Sequence, residues 1–232
     1  MSKIYTFNDK IVTINNKWAK EYAAPAPVDP YNPLGLPANT VRVRTSDGAV
    51  PGGRYDTATL VSGTSDVYDV YKSGTNFTGM FSHSSNIVEV LGANTAGITS
   101  MLVMFLSCTS LTSIALFDTS NVTSMAYMFE CCESLTSVPL FDTSSVTDTN
   151  NMFKYCYSLT TIPLFNTSNI TNMDSMFTNC YNVQSGALAL YQQASSQTNP
   201  PTNHYQTFFN CGSDTTTGAA ELAQIPSDWS II

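Results

Sequence analysis

The chain is built on a repeated 24-residue unit, and that constrains its fold more than any other feature. Met-Phe pairs stand at Met80-Phe81, Met104-Phe105, Met128-Phe129, Met152-Phe153 and Met176-Phe177. Cysteines follow three positions behind the Phe at Cys108, Cys132, Cys156 and Cys180, and Ser84 holds that place in the first unit. Units of this length cannot each bury an apolar face alone, so they must stack on one another.

Aligned unit by unit, the sequence yields apolar columns. Leu111, Leu135, Leu159 and Val183 form one; Ile114, Val138 and Ile162 a second; Leu116, Leu140 and Leu164 a third; Val122, Val146 and Ile170 a fourth. Met125 and Met173 start a fifth that Thr149 interrupts. Period-2 alternation makes the Leu-x-x-Ile/Val-x-Leu segment the expected strand, with Ile114 and Leu116 inward and Phe117 tending outward. Pro139 and Pro163 remove ladder donors within it, so any pairing there is short. The Met-Phe half reads equally as one helical turn or an irregular segment.

Composition narrows the function. Charged residues are 11% of the 232, and hydrophobic residues are 43%, enough to bury a core. Residues 1–72 hold eight of the nine Lys and Arg against seven acids; residues 73–232 hold Lys154 alone against ten acids. A nucleic-acid backbone would be repelled by the repeats. No apolar run is long enough to insert in a membrane. The polar residues after Met1-Ser2-Lys3-Ile4-Tyr5 do not form a secretory core, so export by that route is not expected. Four of the six cysteines share one repeat column, which suits buried thiols better than designed disulfides. His83 and His204 are the two histidines, and no zinc-type cluster accompanies them. Neither a metal nor a cofactor is expected, and no residues converge for catalysis.

Outside the repeats, Ile4–Phe7 and Ile11–Ile14 read as a hairpin, and Pro25, Pro27, Pro30, Pro33 and Pro37 as an extended arm. The expected organisation is an anchoring hairpin and arm over 1–40, a β-rich N-terminal cap over 41–76, repeats over 77–184 and a C-terminal cap over 185–232. In the last segment a helix is expected from Ala187 to about Ser195 and another over Thr217–Gln224. Phe208-Phe209 echoes Met176-Phe177 but arrives later than one period, which implies an eight-residue insertion.

The run Cys132-x-Ser-Leu-Thr-Ser-x-Pro-Leu-Phe-Asp-Thr-Ser-x-Val-Thr147, with Met-Phe before the Cys, resembles the BspA-type leucine-rich repeat. Four units match well; the first has Ser84 for Cys and Ala93 for Phe. The resemblance implies a leucine-rich-repeat-like solenoid of four to five coils, with a β-rich N-terminal and a mixed C-terminal cap. It also implies a surface-exposed binding module of bacteria, of a kind also found in phages of gut bacteria.

The expected function is therefore a non-enzymatic phage virion accessory protein, a head fibre or decoration at the virion surface. Ile4, Tyr5, Phe7, Ile11, Trp18 and Tyr22 would anchor it to a capsid or other virion protein. Ser113, Phe117, Ser137, Phe141, Thr161 and Phe165 are the candidate face for a host surface protein or glycan, with edge-of-sheet core packing the competing reading for the Phe residues. A bacterial cell-surface adhesin and a purely structural capsid stabiliser are the alternatives, and self-association stays open. In the Asp118, Asp142, Asn166 column, turn capping is the expected role, ahead of a shared cation.

Overall fold

The computed structural model describes residues 29–230 and, before them, the backbone of two strands. β1 (Lys3–Phe7) and β2 (Lys10–Ile14) pair antiparallel with Phe7 opposite Lys10. Of the expected anchoring residues, Ile4, Tyr5, Phe7 and Ile11 fall on these strands. Their side chains, and Trp18 and Tyr22 altogether, lie outside the described residues. Two compact units divide the chain, Met1–Pro30 and Tyr31–Ile232. Residues 31–40, read from sequence as the end of an arm, belong to the second. Leu36 is buried, and its carbonyl accepts from the side chains of both Asn32 and Asn94.

The second unit opens with β3 (Thr40–Thr45), β4 (Thr57–Leu60), β5 (Val67–Tyr71) and β6 (Ile87–Asn94). With the two-residue β7 (Ser113–Ile114) they form one sheet in the order β4-β5-β3-β6-β7. Every pairing is antiparallel except β6 with β7, where Glu89 and Val90 lie parallel to Ser113 and Ile114. β6 thus ends the cap and begins the stack. Val41, Val43, Val70 and Val90 supply its buried face, and the Arg42 guanidinium grips Asp69 across β3 and β5 at 2.6 and 2.8 Å.

From there each 24-residue unit lies on the next. Parallel bridges join Asn76 to Ser100, Ser100 to Ser124, Ser124 to Asp148, and Asp148 to Asn172. The regular ladder is in the Met-Phe half. Met101, Val103, Phe105 and Ser107 donate their N–H groups to Ser124, Ala126, Met128 and Glu130 at 2.8–3.1 Å, and each unit does the same to its successor. The intervening Met104, Leu106 and Cys108 bond back three positions to Met101, Val103 and Phe105, making consecutive tight turns. Those turns hold two columns of non-glycine residues at positive φ: Val103, Tyr127, Asn151 and Ser175 in one, His83, Ser107, Cys131, Tyr155 and Asn179 in the other. Left-handed backbone costs an L-residue about 1–2 kcal/mol. It persists because the ladder on both sides fixes it.

Inside, Phe81, Phe105, Phe129, Phe153, Phe177 and Phe208 form one continuous stack with neighbouring centroids 5.2–5.9 Å apart. The cysteine column is buried beside it. Cys108, Cys132, Cys156 and Cys180 each direct the thiol to the carbonyl of the preceding unit's Phe at 3.0–3.2 Å. Thr149, the interruption in the Met column, is fully buried and donates its hydroxyl to the Asn172 carbonyl at 3.0 Å.

The other half departs from the expected strand. Beyond β6 in the first unit, β7 is its only strand among the described residues, and the alternation inverts after it. Leu140 and Leu164 are exposed at 59% and 54%, whereas Phe117, Phe141 and Phe165 are buried. The cause is local. Pro139 and Pro163 have no N–H to give, and the N–H groups of Phe141 and Phe165 turn back onto the Pro139 and Pro163 carbonyls at 3.0 and 2.9 Å. A three-residue turn with Leu at its apex sends the Leu out and the Phe in.

The C-terminal segment also shifts register. Phe208 stacks on Phe177, and the Thr207 carbonyl accepts the N–H of Phe177. Asn210 lies against Asn179 in the same 31-residue register, so the insertion is seven long rather than eight. α1 (Ala187–Ser195) fills part of it, starting after Gly186 at φ 103, where a Cβ would lie 2.2 Å from the Ile162 carbonyl oxygen. α2 (Thr216–Leu222) is capped by the Thr215 hydroxyl, and α3 (Ser227–Ser230) brings Trp229 onto Phe208.

Candidate functional site

The expected ligand face is divided by the inverted half-unit. Ser137 and Thr161 are exposed, and Ser113 is half-buried with its hydroxyl 3.5 Å from Glu89. Phe141 and Phe165 are core residues, not contact residues, for the turn reason given above, and Phe117 is equally buried although Ala115 keeps its N–H bonded to the Val90 carbonyl. Leu140 and Leu164 stand in their place on the surface. With Tyr31, Phe141, Asp142, Thr143 and Asn166 they line a shallow groove of about 310 Å³.

Most repeated hydroxyls are engaged along the stack. Thr99, Thr123, Thr147 and Thr171 each donate N–H and Oγ1 to the Thr carbonyl one unit back. Thr112, Thr136 and Thr160 make a second such rail from Val88 onward. Asp118, Asp142 and Asn166 each accept the N–H two positions ahead, from Ser120, Ser144 and Ser168. Both the side chain and the N–H of Ser144 hold the Asp142 carboxyl below its ordinary range. This is Asx-turn chemistry.

The cysteines are chemically quiet. Burial pushes the Cys108 and Cys180 thiols up to about 12 and raises Cys132, Cys156 and Cys211 well above their ordinary value. Cys131 is half-buried, and its thiol is also raised, by burial first and then by Glu130 and Glu133. Nucleophilic or ligating cysteine needs the thiolate. Among the described residues no group of three or more His, Cys, Asp or Glu is placed to hold a metal ion, and no helix is long and apolar enough to cross a membrane.

A cleft of about 740 Å³, which no sequence motif anticipated, lies at the C-terminal end of the stack. Asn150, Asn172, Asp174, Thr202, Asn203 and Tyr205 come from the last three turns of the stack, placed by the bridges Asp148–Asn172 and Asn172–Asn203. His204, Ser227 and Asp228 complete the wall. The His204 ring stacks on Trp229 at 4.2 Å between centroids, its Nδ1 is 3.0 Å from the Pro201 carbonyl, and Nε2 is 3.5 Å from Asp228 Oδ2. One sequence signal existed. At the equivalent positions 78, 102, 126, 150, 174 and 205 the residues run Thr, Leu, Ala, Asn, Asp, Tyr, so the apolar middle of the column gives way to polar groups where the cleft forms. Placing Tyr205 in that column requires the 31-residue register of the last unit.

Neither the curated proteins nor the solved structures give a match to this chain. A family model does, over residues 75–190, which is half the chain and the full extent of the well-formed repeats. The chain belongs to the family described as Mycoplasma protein of unknown function, DUF285.

Proposed function

We propose that this protein is a non-enzymatic display and binding module. Residues 77–184 form a BspA-type leucine-rich-repeat solenoid that presents ligand surfaces, residues 41–76 and 185–232 cap it, and the N-terminal unit attaches it to a larger particle. The observation that carries the reading is how the repeats use their functional groups. Thiols are buried, Thr and Asp side chains hold neighbouring turns in register, and the variable residues are left on the outside. A scaffold of that kind fixes a surface and does no chemistry of its own. That Met1–Pro30 forms a compact unit of its own supports a distinct attachment role. The setting we favour is the surface of a phage virion, with a capsid or other virion protein as the partner of residues 1–30.

The test uses the full-length chain. Substituting Ile4→Asp and Phe7→Asp together should abolish co-sedimentation with purified particles while leaving the melting temperature of the main body unchanged. Undiminished co-sedimentation removes the attachment role. A second reading, a bacterial cell-surface adhesin, is favoured by the family description, which names a cellular organism. Surface labelling of intact cells that express the chain separates the two.

A further inference from the structure

We propose that the C-terminal cleft is a binding site for a neutral saccharide. The inference rests on the reading of the protein as a binding module and names the ligand class of one site on it. About 740 Å³ lies within the roughly 300–1,000 Å³ typical of small-ligand sites. The lining is the chemistry that a polyol selects. Asn150, Asn172 and Asn203 offer carboxamides that can donate and accept at once, and Asp174 and Asp228 offer paired acceptors. Vicinal hydroxyls, each both donor and acceptor, match that set. Tyr205 is 53% exposed at the rim and supplies an aromatic face for the C–H side of a sugar ring.

Two further observations narrow the class. No Lys or Arg lines the cleft, whereas two carboxylates do, so an anionic ligand would meet repulsion with no compensating charge. The Asn150 carboxamide oxygen is buried without a hydrogen-bond partner among the described residues, although the same side chain's Nδ2 reaches the Tyr127 hydroxyl at 3.5 Å. A buried acceptor left unpaired is costly, and a small displacement of this carboxamide toward the cleft would let a ligand hydroxyl donate to it. The wall is also rigid. His204 is clamped between Trp229, Pro201 and Asp228, so the site is largely formed before a ligand arrives.

The experiment applies the full-length chain to an array of neutral oligosaccharides built from hexoses and N-acetylhexosamines. Sialylated and sulfated oligosaccharides of the same length are included, and the best neutral binder is then followed by calorimetry. Neutral oligosaccharides should bind at least tenfold more tightly than their acidic counterparts. Tyr205→Ala and Asn203→Ala should each weaken the best binder at least tenfold with unchanged melting temperature, and Leu140→Ser in the other groove should change nothing. Absence of any neutral binder, equal or better binding of acidic ones, or full affinity in both cleft variants would overturn the proposal. Those failures leave particle attachment through residues 1–30 untouched, since that is read by co-sedimentation.

Discussion

The two halves of each 24-residue unit solve the same stacking problem by different means. In the Met-Phe half every second backbone N–H points along the stack to the next unit, and side chains between them, Met128 or Cys156 for example, are fully buried. In the Leu-Pro-Leu-Phe half the prolines interrupt the backbone, and coherence comes from side chains: Phe117 against Phe141 at 5.1 Å, the Thr112–Thr136–Thr160 rail, and the buried Thr119 and Thr143 hydroxyls reaching the Asp142 and Asn166 carbonyls. The first half is a sealed wall in which the buried Met, Phe and Cys recur, while positions 102, 126, 150 and 174 change from Leu to Ala, Asn and Asp. The second is a wall whose outer residues are free to change.

The largest expected consequence of the sealed half is alkaline sensitivity. Burial raises the Cys108 and Cys180 thiols from the ordinary 9.0 to about 12 in the folded chain. Between those limits the unfolded chain loses the protons and the folded chain keeps them. Stability is therefore intact below pH 9 and falls as pH rises, by about 1.4 kcal/mol per pH unit for each such thiol. Denaturant midpoints at pH 7 and pH 10 should differ accordingly. A Cys108→Ser, Cys180→Ser double variant, whose hydroxyls do not titrate, should show a smaller difference. Equal differences would mean the wall is not sealed.

Single truncations should show the same contrast. Phe129→Ala removes the middle of the stack and should cost about 3–5 kcal/mol in chemical denaturation. Leu140→Ala, on an exposed side chain of similar hydrophobicity, should stay within about 0.5 kcal/mol. Comparable losses at the two positions would erase the distinction between the halves. A subtler effect is expected at Thr149, whose buried hydroxyl compensates for its intrusion into a Met column. Thr149→Val keeps the shape and removes the bond, at about 1 kcal/mol.

Why the halves were unequally legible follows from the same physics. Columns such as Leu111–Leu135–Leu159 and Cys108–Cys132–Cys156 could be read directly, because a fixed period identifies equivalent environments whatever the backbone does. The α1 helix, starting just after Gly186, was also legible from its composition. The path of the chain between columns was not. Alternation predicts which side chains point inward only while the backbone stays extended. A three-residue turn at Pro139-Leu140-Phe141 resets the count, which is why Leu140 and Phe141 exchange places. The Met-Phe ladder was hidden for the opposite reason. It depends on residues at positive φ, and Val103, Tyr127 and Tyr155 carry no propensity for that conformation. The cleft was least legible, because its residues come from separate turns of the stack and meet only in the shifted register of the last unit.

The smallest predicted effect probes the cause of that difference most directly. If Pro139 shapes the outer half chiefly by lacking an N–H, then Pro139→Ala restores a donor at the position where Ala115 reaches the Val90 carbonyl one unit earlier. The equivalent acceptor is the Ile114 carbonyl. The new bond would contribute about 1 kcal/mol, and the loss of proline's restraint on the unfolded chain would cost about 0.4–1 kcal/mol. The two nearly cancel, so stability should change by less than about 0.5 kcal/mol. Amide exchange is the sharper measurement, since the N–H gained at position 139 should be protected to the degree of Ala115. Protection there with Leu140 still exposed would show that the turn is set by the Leu-Phe pair and not by proline. Loss of Leu140 exposure would show that a single imino acid keeps the outer wall of its unit from becoming a second ladder.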